Sequence, residues 1–114
     1  MPTTNLTMEI REVADGVRVI DIDGEITSFA EAEIAAAHEE AGKDASAVIL
    51  NFEGLDYMNS GGIGLLVTTL IRAQRSGHAL RAYGLSDHYR QIFSLTRLDE
   101  AIGLYDDEAS AIAG

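Results

Sequence analysis

The residues best placed to do chemistry lie in one short run, Asn59-Ser60-Gly61-Gly62-Ile63-Gly64. Ser60 stands where a helix N-cap is expected, a position that favours a side-chain oxygen able to accept from first-turn amides. The amides of Gly61, Gly62 and Ile63 are then unpaired donors at a helix start. Such an end carries partial positive charge and suits an anion such as a phosphate. The three glycines strip side-chain bulk from the approach to the Ser60 hydroxyl, at a cost of about 1 kcal/mol each within a helix. Residue types alone leave two readings open. In one, Ser60 is only a cap and the glycines permit tight strand–helix packing. In the other, the hydroxyl is presented to another protein's backbone or active site.

Other chemistries lack their parts. There is no Gly-x-Gly-x-x-Gly fingerprint, and no Lys follows the glycines as a phosphate-binding P-loop requires. The run is not a Gly-x-Ser-x-Gly nucleophile elbow. His38, His78 and His88 lack metal-ligand spacing and read as surface or packing residues. Asp21-Ile22-Asp23-Gly24 shares two acids and a glycine with a calcium loop but not the rest, and reads as a strand end and turn. The absence of Cys excludes disulfides, a thiolate zinc site and a Cys nucleophile. An enzyme built on this loop needs a base and a phosphate-clamping cation. Arg72, the nearest basic residue in sequence, lies about three helical turns beyond Ser60. The expectation is therefore a non-enzymatic chain with no catalytic residues, metal or cofactor of its own.

The elements that must position the run follow from periodicity. Met8–Ala14 alternates apolar and polar, as a half-buried strand does. Asp15-Gly16 is a two-residue hairpin signal, and Val17–Ile26 is the returning strand. Phe29–Ala41 reads as a helix with Ile34, Ala37 and Ala41 on one face, ended by Gly42. Ala47–Phe52 is a short apolar run, the pattern of a strand buried on both faces. After the glycine run a helix extends to Arg75, with Ile63, Leu66, Val67, Leu70 and Ile71 as its apolar stripe and Ser76-Gly77 as its stop. Leu80–Leu85 is a strand. Asp87 caps a helix through Thr96, with Tyr89, Ile92, Phe93 and Thr96 on one side. Ala101–Leu104 is a last short strand, and Asp106–Ala113 a terminal helix with acids in its first turn. Strands alternating with helices after an opening hairpin imply a mixed sheet, parallel in its later part.

Composition limits the class. A chain of 114 residues allows one domain, 1–114, burying roughly 65% of its unfolded surface. It is 46% hydrophobic and 24% charged, the balance of an ordinary globule. The start, MPTTNLTMEIREV, lacks the basic and apolar regions of a signal peptide. No apolar run approaches the ~20 residues needed to cross a bilayer, so membrane insertion is not expected. The formal net charge of -11 disfavours binding to nucleic acid or anionic membranes. That charge is uneven. Residues 1–60 carry 3 basic and 13 acidic side chains, whereas residues 72–97 carry five Arg against Asp87 alone. These are either solvated faces, internal neutralisation or a partner surface.

Three segments carry a resemblance: Asp23-Gly24-Glu25-Ile26, AVILNFEGLDYMNSGGIGLL and LRAYGLSDHYRQIFSLTRLDEAIGLYDDEASAI. Along nearly its full length the chain resembles the STAS domains of bacterial anti-sigma factor antagonists. The middle segment is similar to that family's strand, Met-Asp-Ser-Ser/Thr-Gly-x-Gly loop and helix. The match puts Ser60 at the family's phosphorylated serine and Gly62 and Gly64 at its two loop glycines. The chain departs from the pattern at Asn59 (usually Asp), Gly61 (usually Ser or Thr) and Thr27 (often Asp). Asn59 keeps the size and capping ability of Asp without its charge.

The resemblance implies an α/β STAS fold, a single mixed sheet with about four helices packed against it. It also implies a two-state switch that regulates transcription, as in stress responses. The dephosphorylated protein binds an anti-sigma factor with a serine kinase fold and frees a sigma factor. That kinase, with its own ATP and Mg²⁺, phosphorylates Ser60 and the complex dissociates, and a PP2C-type phosphatase reverses the mark. The setting implied is the cytoplasm. The partner surface implied is Asp23, Gly24 and Glu25 beside Tyr57, Met58, Asn59, Gly61, Gly62 and Gly64, with Tyr57 and Met58 as a potential exposed apolar pair. The alternative is a STAS module in another partner cascade, or a cytosolic subunit of a lipid-transport complex.

Overall fold

A computed structural model describes residues 5–114. Residues 1–4, with Pro2 and the start of the segment read for a signal peptide, lie outside the described residues. The strands are β1 (Leu6–Ala14), β2 (Val17–Ile26), β3 (Ala47–Met58), β4 (Ala79–Tyr83) and β5 (Gly103–Tyr105). The helices are α1 (Glu31–Ala41), α2 (Ser60–Ser76), α3 (Asp87–Leu95) and α4 (Glu108–Ala113), and 3-10 turns cover Ser28–Ala30 and Leu98–Glu100. The five strands lie in the order β1-β2-β3-β4-β5. β1 and β2 are antiparallel and every later pair is parallel. This is the expected mixed sheet. The Asp15-Gly16 turn closes its hairpin with Gly16 at φ +72°, a left-handed conformation that glycine adopts freely.

Strand alternation sorts the core into two layers. Ile20, Ile22, Val48, Leu50, Phe52, Leu80 and Ala82 face one side, where Ile34 of α1, Leu66 of α2 and Phe93 of α3 cover them. Val19, Ile49 and Tyr83 face the other side, where α4 supplies Ala111. β3 is thus buried on both faces over its first half, as its continuous apolar run requires. The short α4 is held by charge as well as packing. Arg11 donates to both Asp21 and Glu108, Tyr83 Oη donates to Glu108 at 3.0 Å, and Arg81 holds the Ala111 carbonyl at 3.0 Å. The Arg11 guanidinium holds the Asp21 and Glu108 carboxyls below the usual range. Burial, with the Glu108 carboxylate next, pushes Tyr83 up to about 12.

Several boundaries differ from the expected ones. β3 continues past Phe52 to Met58, because Gly54–Met58 pairs with Asp23–Ile26 through two irregular registers. The apolar stripe of α2 is rotated. Its inward face is Gly62, Leu66, Thr69 and Ala73, while Val67 and Ile71 are 39% and 44% exposed. Small residues on that face let the helix sit close to the sheet, and closeness decides the roll. Two caps also move by one residue: Asn59, not Ser60, caps α2, and Ser86, not Asp87, caps α3. In each case the residue just before the helix has the extended backbone that a cap requires.

Two of the three histidines are core residues. His38 of α1 and His78 just after α2 are 4% and 7% exposed, and their Nε2 atoms lie 2.9 Å apart. One ring donates and the other accepts, and burial favours the neutral form of both. Burial, then the charges of His78 and Arg72, pushes His38 down to about 4, and burial lowers His78 also. Between the unfolded value near 6.5 and the folded one, the unfolded chain binds more protons. Stability therefore falls as pH drops through that window, by up to about 1.4 kcal/mol per pH unit per histidine. Urea unfolding should give a lower midpoint at pH 5 than at pH 7.5, with the difference much reduced in a His38→Leu/His78→Leu double variant. A wild-type midpoint constant across this range contradicts the account.

Candidate functional site: the strand–helix junction at Ser60

The junction is built from the ends of β2 and β3 and the start of α2. Glu25 pairs with Tyr57 and Ile26 with Met58 in the parallel ladder. The Asn59 amide then donates to the Ile26 carbonyl at 3.3 Å, which ties the loop to β2. Tyr89 of α3 steadies the same point, its Oη accepting from the Met58 amide at 2.8 Å. Asn59 Oδ1 accepts from the Gly62 amide at 2.9 Å, and the Asn59 carbonyl accepts from Ile63 at 3.0 Å. Two of the three amides expected to face an anion are thus already paired. Among the described residues, the free donors of this first turn are those of Ser60 and Gly61.

Ser60 is the first residue of α2 and is exposed. Asn59 does the capping, and among the described residues the Ser60 hydroxyl has no hydrogen-bond partner. Four residues on, Gly64 also faces outward, and a Cβ placed on it would meet nothing within 4 Å. The same face continues, at helical spacing, to the exposed Val67 and Ile71. Across the junction stands the exposed Phe29, in the 3-10 turn whose Ser28 lies against Gly61. Tyr57, three residues before Ser60, is also exposed, at 48%. Phe29, Val67 and Ile71 were not among the sequence-derived site residues. Nothing local marks Phe29, and the apolar stripe of α2 assigned the other two to the core.

The remaining expected residues divide. Glu25, Tyr57, Asn59 and Gly61 gather around Ser60. Asp23 and Gly24 lie further back along β2, opposite Gly54 and Leu55. Gly24 adjoins the chain's own backbone, since a Cβ there would sit 2.1 Å from the Asn5 carbonyl oxygen. Met58 is a correction: it is 5% exposed and belongs to the core, so Tyr57 and Met58 are not an exposed pair. The two irregular registers opposite Asp21–Glu25 break simple alternation after Phe52, so the inward turn of Met58 is set by its pairing with Ile26. Gly62 also turns inward, and a Cβ on it would lie 2.2 Å from the Ile26 carbonyl oxygen. Among the described residues no cluster of three or more His, Asp or Glu could hold a metal ion. No helix among them is long and apolar enough to cross a membrane.

The chain belongs to the STAS domain family, whose model matches residues 10–111. A search of curated proteins finds no match. Among solved structures it is similar to the Bacillus cell fate determinant SpoIIAA in its phosphorylated form, at 24% identity and a TM-score of 0.71, covering 94% of this chain and 97% of that one. An anti-sigma factor antagonist from Mycobacterium paratuberculosis is 23% identical, with a TM-score of 0.75 over 96% of this chain and 92% of that one. A sulfate transporter family protein from Wolinella succinogenes is 19% identical, with a TM-score of 0.77 over 90% of this chain and 87% of that one. At these identities the likeness establishes the fold.

The two loop glycines that look alike in sequence should behave differently. Gly62→Ala forces a methyl into the Ile26 carbonyl and should cost roughly 1–3 kcal/mol. Gly64→Ala fills open space and should stabilise the helix by about 0.5–1 kcal/mol. Asn59→Ala should cost about 1 kcal/mol through the lost cap. Denaturant unfolding of the three variants checks this, and equal effects at 62 and 64 would contradict the geometry.

Proposed function

We propose that this chain is an anti-sigma factor antagonist, a cytoplasmic binding module switched by phosphorylation of Ser60 and not itself an enzyme. In its dephosphorylated form it docks on an anti-sigma factor with a serine kinase fold, and a sigma factor is released. The partner's kinase, using its own ATP and Mg²⁺, transfers a phosphoryl group to Ser60 and the complex separates. A PP2C-type phosphatase restores the binding form. The observation that carries this reading is an exposed Ser60, whose hydroxyl is unused by the cap, at the head of an α2 face that continues through Gly64 to the exposed Val67 and Ile71.

The physics of the mark is local. Phosphorylation adds a charge of about -1.5 to -2 and three strong acceptor oxygens. At the first turn of α2 the free amides and the helix dipole accommodate a dianion, so the fold survives. Against a partner the same group must be desolvated, and Glu25, opposite Tyr57, already brings an acid to this end of the sheet. A loss of about 1.4 kcal/mol is tenfold in affinity. The second reading is a STAS module in another partner cascade or a cytosolic subunit of a lipid-transport complex; a sulfate transporter family protein shares the fold.

Incubation with serine kinases of the anti-sigma type, ATP and Mg²⁺ should add one phosphoryl mass to the wild type and none to Ser60→Ala. Ser60→Asp should keep its melting temperature within a few degrees and bind the kinase at least tenfold more weakly. Val67→Glu should weaken binding comparably while leaving the fold intact. A Ser60→Asp protein that binds as tightly as wild type would sink the switch, and docking on a transporter subunit alone would select the second reading.

A further inference from the structure

The far end of α2 holds a second concave site. Arg72 lies about 18 Å along the helix axis from Ser60. There the last turns of α1 and α2 and the loops that follow them border a cavity of about 580 Å³, whose wall includes His38, Gly42, Lys43, Arg72, Arg75 and His78. This is within the size range of small-molecule sites and much larger than one phosphate ion needs.

The distribution of cations singles this cavity out. Of the eight Lys and Arg residues, Arg11, Arg18, Arg81 and Arg90 are all engaged inside the fold with carboxylates or helix-end and loop carbonyls. Three of the other four, Lys43, Arg72 and Arg75, line this one cavity. Among the described residues none of these three makes an ion pair. Glu39 is the one acid on the wall, so the site is locally positive in a chain of net charge -11. The negative ends of two helix dipoles point the same way, but their carbonyls are occupied. The Gly42 amide donates to His38 O, Gly77 to Ala73 O, and Arg18 to Ala41 O.

A second, independent observation comes from His78. Its Nδ1 is buried and has no partner among the described residues. Its Nε2 is used by His38 at 2.9 Å. If His38 donates in that bond, the His78 proton sits on Nδ1 and is an unused donor. The ring adjoins Gly42, where a Cβ would stand 2.8 Å from Cε1 and 3.5 Å from Nδ1.

We propose that this cavity binds a small organic phosphomonoester. Lys43, Arg72 and Arg75 take the phosphoryl oxygens, His78 Nδ1–H and the Ser76 hydroxyl supply neutral donors, and the carbon body rests on Ala35 and the His38 ring. Guanidinium groups suit this task because they bind phosphate oxygens bidentately. A phosphomonoester is largely a dianion at pH 7, which matches the excess of cations over Glu39.

The test is an NMR titration of the full chain at constant ionic strength with ribose 5-phosphate, ribose and inorganic phosphate. Ribose 5-phosphate should shift the amides of Gly42, Ser76 and His78 and both histidine rings, saturating by about 10 mM, tenfold above a Kd of about 1 mM. Ribose should shift none of them, and inorganic phosphate should bind at least tenfold more weakly. Nitrogen shifts should show His78 protonated on Nδ1. An Arg72→Ala/Arg75→Ala variant removes two exposed side chains, so it should fold normally and lose at least tenfold in affinity. No saturable shift at these residues, equal affinity for inorganic phosphate, or undiminished binding by the double variant overturns the proposal.

Discussion

The close approach of the first turn of α2 to the carbonyl of Ile26 is the constraint on which the junction depends. Residue 62 can sit there only without a side chain, since a Cβ would come within 2.2 Å of that oxygen. The contact sets the roll of the helix, and the roll decides which residues α2 shows. Leu66, Thr69 and Ala73 turn in, and Ser60, Gly64, Val67 and Ile71 turn out. The exposure of Ser60 is therefore a consequence of packing on the opposite side of the same turn.

Capping by Asn59 separates two tasks that one serine would otherwise combine. A hydroxyl that caps a helix is tied to a first-turn amide, and modifying it removes that bond. Here the amide oxygen of Asn59 holds the Gly62 amide, so the neighbouring hydroxyl can be changed without cost to the helix start. The exchange of the family's usual Asp for Asn keeps this function, because the cap needs an oxygen acceptor and not a charge. It also leaves one fewer negative charge beside the hydroxyl.

Charge is used in the same economical way elsewhere. Arg11 joins β2 to α4 through two carboxylates, and Arg18 and Arg81 each hold the carbonyl end of a helix. With so few cations, each one committed to the fold is unavailable to solvent or ligand. Three of the four uncommitted ones share one cavity wall, although in sequence they are ordinary surface residues.

The sequence by itself determined the alternation of strands and helices, the Asp15-Gly16 hairpin, the doubly buried β3 and the strand-to-helix run containing Ser60. All are short-range properties: side-chain period, turn chemistry and the glycine–serine pattern act over a few residues, so they can be read without knowing what lies opposite. Tertiary structure alone decided the roll of α2, which put Val67 and Ile71 outside against their own periodicity. It also decided the inward turn of Met58, once β2 extended β3 beyond its apolar run. Only folding could bring His38 against His78, or set Lys43 beside Arg72 and Arg75. Such contacts join residues tens of positions apart, and they depend on how closely two elements can approach, which no local pattern encodes.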